Sequence, residues 1–77
     1  MIYNRIALLR TEQGVSRQEL AEKVGVNYQT IGFIERGDYS PSLELGFKIA
    51  ETFGVELTTV FSDKPFPSLF ATNKEKK

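Results

Sequence analysis

Residues 16–37 read SRQELAEKVGVNYQTIGFIERG, and this stretch decides the fold of the chain. Ser16 and Glu19 have the spacing of a capping box, in which each side chain binds the backbone amide of the other residue at a helix start. Gly25 favours a left-handed stop to that helix, and Asn27 is an N-cap candidate for another helix. The pattern therefore predicts two short helices joined by a tight turn.

The second helix of this pair, residues 28–35, has an unusual outer face. At about 100° per residue, Ile31 and Ile34 fall on one side of it. The opposite side carries residues suited to contact: Tyr28, Gln29, Gly32 and Phe33. A surface helix of a soluble protein normally carries charged side chains there. Two short helices, a turn containing glycine and an outer face built for contact are together typical of a helix-turn-helix motif.

The motif and its surroundings resemble the phage-repressor and Cro-type helix-turn-helix family, also called the xenobiotic-response-element family. The matching residues form an ordered set: Arg10, Gly14, Ser16, Glu19, Leu20, Ala21, Val24, Gly25, Val26, Ile31, Ile34, Glu35 and Gly37. Residues 41–57, PSLELGFKIAETFGVEL, are similar to the fourth and fifth helices of the same domain. The resemblance implies an all-α, compact five-helix, lambda-repressor-like DNA-binding domain over residues 1–62, followed by a short C-terminal tail, residues 63–77.

Composition excludes several classes of function. A chain of 77 residues has room for one domain with a small core. It contains no cysteine and no histidine, which removes the commonest metal ligands, thiol nucleophiles and acid–base groups. We therefore expect no enzyme activity, no metal and no cofactor. With no apolar run long enough to span a bilayer and no signal-peptide pattern, the expected location is the cytoplasm.

The charge balance is weaker evidence for nucleic-acid binding than the helix-turn-helix motif is. The net charge is zero and the pI is about 6.2, whereas a DNA-binding domain is usually basic. Few phosphates would be neutralised per subunit, so we expect modest non-specific affinity and a shallow dependence on salt.

The outer face of helix three is the predicted base-reading surface. Gln29 is the strongest candidate, because a glutamine amide binds adenine through two hydrogen bonds in the major groove. Tyr28 offers a hydroxyl, and Phe33 can pack against a thymine methyl group; alternatively, Phe33 packs against the C-terminal tail or a partner protein. Gly32 completes this face. Residues expected to contact the DNA backbone surround it: Arg17, Gln18, Asn27, Thr30 and Arg36.

The resemblance also implies a structural ion pair between Arg10 and Glu35, which would tie helix one to the end of helix three. A planar guanidinium can hold a partly buried carboxylate through two hydrogen bonds. The alternative is that both side chains are exposed charges.

The remaining helices are predicted from caps and apolar spacing. Helix one is expected from Asn4 to Gln13, capped by Asn4. Residues 40–42 are expected to start helix four. Its apolar arc comprises Leu43, Gly46, Phe47, Ala50 and Phe53, and Leu45 and Ile49 widen it, so we expect this broad face to pack in the core. A short fifth helix then begins with Val55, Leu57, Val60 and Phe61.

The tail of the chain is more apolar than a linker that makes no packing contacts. Pro65 and Pro67 interrupt helix, whereas Phe66, Leu69 and Phe70 favour packing. Either it pairs across a two-fold axis, or it braces helices four and five of its own subunit.

The predicted function is a homodimeric transcriptional repressor that reads a palindromic site on double-stranded DNA, with no identifiable small-molecule ligand. The alternative is a protein-interaction module, such as the antitoxin of a toxin–antitoxin pair or a polymerase-associated adaptor.

Overall fold

A computed structural model describes residues 2–67, which form five helices and two short strands. In chain order these are β1 (Tyr3–Asn4), α1 (Ile6–Gln13), α2 (Arg17–Val24), α3 (Tyr28–Glu35), α4 (Leu43–Phe53), α5 (Leu57–Val60) and β2 (Phe61–Ser62). The predicted five-helix fold is confirmed. The predictions that fall on Leu69, Phe70 and the rest of residues 68–77 lie outside the described residues.

The predicted start and end of α2 are confirmed. The Glu19 amide donates to Ser16 Oγ at 3.0 Å, and the Ser16 amide donates to Glu19 Oε1 at 2.9 Å. Gly25 ends the helix with a φ of 82°, in the left-handed region that glycine adopts without a steric penalty. Its amide donates to Ala21 O at 2.8 Å, so the chain turns sharply towards α3.

One hydrophobic core joins all five helices. Ile6 of α1, Ile31 of α3 and Ile49 of α4 are completely buried. The other buried apolar residues are Leu9, Leu20, Ala21, Val24, Ile34, Ala50, Phe53 and Val60. Burying an isoleucine contributes roughly 1.5–3 kcal/mol, so these contacts fix how α2 and α3 lie against α4.

A two-stranded antiparallel sheet, which the sequence did not predict, joins the two ends of the domain. Tyr3 lies opposite Ser62 and Asn4 opposite Phe61, and the Arg5 amide donates to Val60 O at 2.8 Å. The predicted helix start at Asn4 is therefore wrong, because strand pairing holds its backbone extended and α1 begins at Ile6. For the same reason α5 ends at Val60, and Phe61 belongs to β2. The predicted inclusion of Val55 is also wrong, because α5 begins at Leu57.

Helix α4 begins later than predicted, and its apolar arc is only partly buried. Ser42 Oγ accepts a hydrogen bond from the Leu45 amide at 3.1 Å, which caps a helix that begins at Leu43. The predicted inward positions of Leu43 and Phe47 are wrong, since these side chains are 68% and 49% exposed. The neighbouring elements cover a narrower side of α4, which carries Gly46, Ile49, Ala50 and Phe53.

Candidate nucleic-acid interface

The buried residues of α2 and α3 determine which side of α3 faces solvent. Ile31 and Ile34 lie in the core with Leu20 and Ala21 of α2. The opposite side of α3 is consequently exposed. Asn27 Oδ1 accepts a hydrogen bond from the Thr30 amide at 3.0 Å, so the predicted N-cap of α3 is present.

Three of the four predicted base-reading residues are exposed together on α3. Tyr28 is 54% exposed, Phe33 is 47% exposed, and Gln29 is also exposed. Gly32 differs from the angular prediction, because it is buried. A Cβ atom built on Gly32 would lie 3.4 Å from Arg36 Nη1, so the Arg36 side chain covers this position.

Arg10 and Glu35 lie in contact inside a larger ion cluster. Arg10 Nε lies 2.6 Å from Glu35 Oε2, and Arg10 Nη1 donates to Val15 O at 3.2 Å. Arg17 Nε approaches the other carboxylate oxygen, Oε1, at 2.9 Å. The Glu35 side chain is only 5% exposed. The single carboxylate of α3 is therefore neutralised by two guanidinium groups and does not present a bare negative charge to an incoming phosphate.

The Arg17–Glu35 contact was not predicted from the sequence. The cap at Ser16 places Arg17 at the first residue of α2, as expected for a residue at an exposed helix end. Its distance to Glu35 depends on how α2 packs against α3, which no local pattern specifies. Arg17 remains 47% exposed, and the adjacent Gln18 is exposed as well. The N-terminal end of α2 thus presents a cation and an amide to solvent, beside the positive end of the helix dipole.

Asn27 and Thr30, both predicted backbone contacts, also bind each other. Thr30 Oγ1 donates to Asn27 Oδ1 at 3.2 Å, in addition to the amide bond that caps the helix. The Asn27 oxygen is thus occupied by the cap, whereas its amide nitrogen donates no hydrogen bond to any residue in 2–67.

Arg36 lies against the exposed aromatic surface of α3. Its guanidinium carbon is 5.2 Å from the centre of the Phe33 ring, and Nε lies 3.2 Å from Asp38 Oδ2. A recess of about 440 Å³ opens beside these residues, lined by Thr30, Phe33, Asp38 and Tyr39. Sequence reasoning missed Asp38 as a partner of Arg36, although a carboxylate two residues away was the available signal.

Residues 2–67 hold no group of three or more acidic, histidine or cysteine side chains that could bind a metal ion. None of the helices in this part of the chain combines the length and hydropathy needed to cross a bilayer.

Comparisons with known proteins agree with this geometry. A helix-turn-helix family model matches residues 6–60. An uncharacterised HTH-type transcriptional regulator of Archaeoglobus fulgidus is 46% identical over 57 residues, which are 74% of this chain and 81% of that protein. The cryptic phage CTXphi transcriptional repressor RstR of Vibrio cholerae is 35% identical over 63 residues, 82% of this chain and 57% of RstR.

A solved structure extends the similarity to three dimensions. The restriction-modification controller protein C.AhdI of Aeromonas hydrophila superposes with a TM-score of 0.67 and 31% identity, over 70% of this chain and 82% of that one. The region that the family model matches, residues 6–60, contains α2, the turn and α3, the elements that carry the exposed aromatic and amide side chains. The chain therefore belongs to the helix-turn-helix family of transcriptional regulators.

Proposed function

We propose that this protein is a sequence-specific DNA-binding repressor that acts as a homodimer on a palindromic operator in the cytoplasm. The observation that carries the proposal is the outer face of α3. It exposes Tyr28, Gln29 and Phe33, while its one carboxylate, Glu35, is buried between Arg10 and Arg17. Such a face fits a major groove, which admits one helix and offers hydrogen-bond partners to amides.

In this proposal the residues divide into base-reading and backbone groups. Gln29 reads adenine, Tyr28 contacts a base edge, and Phe33 packs against a thymine methyl group. Arg17, Gln18, Asn27 and Thr30 hold the phosphates on both sides of the groove. Repression follows from occlusion of the polymerase at the operator, without catalysis. The Vibrio cholerae relative, named as a transcriptional repressor, supports repression over activation.

A homodimer is proposed because one domain of this size reads few base pairs. Helix-turn-helix proteins commonly gain specificity by binding two symmetric half-sites as a dimer. Support comes from exposed apolar residues on α4 and just before β1. Ile2, Leu43 and Phe47 are exposed, and Ile2 and Leu43 share a recess of about 160 Å³ with Leu57 and Phe61. We call this the α4–α5 apolar surface: Ile2, Leu43, Phe47, Leu57 and Phe61. The tail, residues 63–77, is proposed to extend the same contact.

The proposal is tested by selecting bound duplexes from random DNA with the wild-type protein and with Gln29→Ala. The wild type should yield a palindromic consensus, and Gln29→Ala should relax one base position in each half-site. Gln18→Ala is the matched control, because it removes the same amide from a proposed phosphate contact and should weaken binding without altering the consensus.

Failure to recover any consensus at low salt would contradict the repressor function. A protein partner isolated with the chain would then favour the interaction module instead.

A further inference from the structure

The side chain of Arg36 lies over the reading surface of α3 and does not extend away from the helix end. Its Nη1 atom is 3.4 Å from the position that a Cβ atom of Gly32 would occupy, and its guanidinium carbon lies 5.2 Å from the Phe33 ring centre. Arg36 is 55% exposed, so this contact leaves the guanidinium accessible from solvent. The sequence had predicted a backbone contact for this residue.

Helix geometry explains this position. Arg36 retains right-handed helical torsions, and its amide donates to Gly32 O at 3.1 Å. Side chains of a helix point back towards its N-terminus, so the Arg36 stem crosses the preceding turn, where Gly32 and Phe33 lie. Gly32 has no side chain to obstruct it, and the Phe33 ring attracts the cation through its π-face. The guanidinium is consequently held beside the residues proposed to read bases.

The hydrogen bonds of Arg36 leave its forked end available. Nε donates to Asp38 Oδ2 at 3.2 Å, and neither Nη1 nor Nη2 donates to another residue within 2–67. A planar guanidinium with both terminal amino groups unused matches the O6 and N7 acceptors of guanine in the major groove, which is the commonest specific protein–DNA contact.

We propose that Arg36 is a base-reading residue that binds one guanine in each half-site, stacked on Phe33 and oriented by Asp38. This role rests on the proposed function. It predicts that the operator contains a guanine at a fixed distance from the adenine read by Gln29. Gly32 lies beneath the guanidinium, where a Cβ atom would be at ordinary contact distance, 3.4 Å from Nη1.

The first experiment repeats the selection from random duplexes with Arg36→Lys. Lysine keeps the positive charge, so a phosphate contact would leave the consensus unchanged. Loss of the planar, stacked fork should instead reduce the preference for guanine at one position per half-site, within the roughly 5- to 150-fold range of a good base contact. Arg17→Lys is the matched control, because Arg17 is proposed to hold a phosphate and its variant should retain every base preference.

The second experiment replaces that guanine by 7-deazaguanine, which pairs normally with cytosine but lacks the N7 acceptor. Wild-type affinity should fall several-fold, and the affinity of Arg36→Lys should change by a smaller factor. Two contrary outcomes are distinguishable. A wild type without any consensus overturns the proposed function and this role with it. Lysine can also donate to the N7 and O6 acceptors of guanine. This role alone is therefore overturned when Arg36→Lys preserves the wild-type consensus and 7-deazaguanine leaves the wild-type affinity unchanged.

Discussion

At the scale of single residues, Glu35 joins the stability of the domain to its proposed contact with DNA. Its carboxylate accepts from Arg10 at 2.6 Å on one oxygen and from Arg17 at 2.9 Å on the other. Arg10 is mostly buried with it, whereas Arg17 is about half exposed. The two arginines therefore serve different purposes: Arg10 ties α1 to α3, and Arg17 carries the positive charge of the cluster to the surface.

Arg10→Met should destabilise the fold. Removing one partner of a buried ion pair destabilises by roughly 3–5 kcal/mol when the remaining charge is uncompensated, and Arg17 still compensates Glu35 here, so we expect about 2 kcal/mol. For a domain of this size that corresponds to a fall in Tm of roughly 10 °C, measurable by circular dichroism.

Arg17→Met is the control for this experiment. An ion pair with one exposed partner contributes little, so the expected loss of stability is below about 1 kcal/mol. DNA affinity should fall while the consensus stays the same. Equal stability losses in the two variants would show that Arg10 has no special structural role.

At the scale of elements, those set by local chemistry were predicted well. The capping box at Ser16 and Glu19 and the glycine after α2 involve only neighbours in sequence, and both are confirmed. The β1–β2 sheet was missed because Tyr3 and Ser62 meet only after the helices between them have packed. The exposure of Phe47 was missed for a related reason, since periodicity identifies an apolar arc but not how much of it the neighbouring elements cover.

In the candidate site, too, features set by local sequence were predicted, and features set by long-range packing were not. The angular pattern of α3 correctly indicated that Gln29 and Phe33 are exposed. It did not indicate that Gly32 is covered, because that depends on the path of the long Arg36 side chain. Nor did it indicate the approach of Arg17 to Glu35, which depends on the angle between two helices.

Asn27 allows the helix cap and the proposed phosphate contact to be separated. Asn27→Asp keeps an oxygen acceptor for the Thr30 amide and a favourable charge at the helix start, so unfolding in urea should be nearly unchanged. The same variant places a negative charge beside a phosphate, so DNA affinity should fall at least as far as in Asn27→Ala.

Asn27→Ala provides the comparison, since loss of the cap should destabilise by about 1 kcal/mol. If Asn27→Asp binds DNA as tightly as the wild type, Asn27 acts as a cap alone.

At the scale of the whole molecule, the α4–α5 apolar surface and the tail are the candidate dimer contacts. The first part of the tail also contacts its own subunit, because the Phe66 ring lies 4.1 Å from the guanidinium carbon of Arg5. Phe66 further lines a recess of about 320 Å³ with Ile2, Leu57 and Phe61. The tail thus adjoins the α4–α5 apolar surface, and substitutions can test the two regions separately.

Phe47→Glu should shift the protein towards monomer in sedimentation equilibrium, because it places a charge in the proposed two-fold contact. Thermal stability should change little, since Phe47 is already 49% exposed. Glu51→Gln is a control on the same helix.

Removal of residues 63–77 tests whether the tail contributes to the dimer. A monomeric product would support a role of the tail in the dimer. A dimer as stable as that of the wild type would show that the tail is not needed for it, and would favour packing of the tail on helices α4 and α5 of its own subunit.

The net charge of zero predicts an unusually weak dependence of DNA affinity on salt. Each neutralised phosphate contributes about −0.9 to the slope of log affinity against log salt, so a dimer with one or two such contacts per subunit should give roughly −2 to −4. Fluorescence anisotropy over a series of salt concentrations measures this slope. A value near −10 would require many more phosphate contacts than the described surface supplies.

The β1–β2 sheet acts as a clasp between the two ends of the domain, and Asn4 extends it to α3. Asn4 pairs with Phe61 through its backbone, while its Nδ2 donates to Ile34 O near the end of α3 at 2.9 Å. A force applied to either end of the domain, for example by a fused partner, therefore reaches the clasp before the core. The Ile34 carbonyl also accepts from the Gly37 amide at 3.0 Å, so opening the clasp would leave it one hydrogen bond instead of two. A fusion at either end of the domain therefore bears on the geometry at the end of α3.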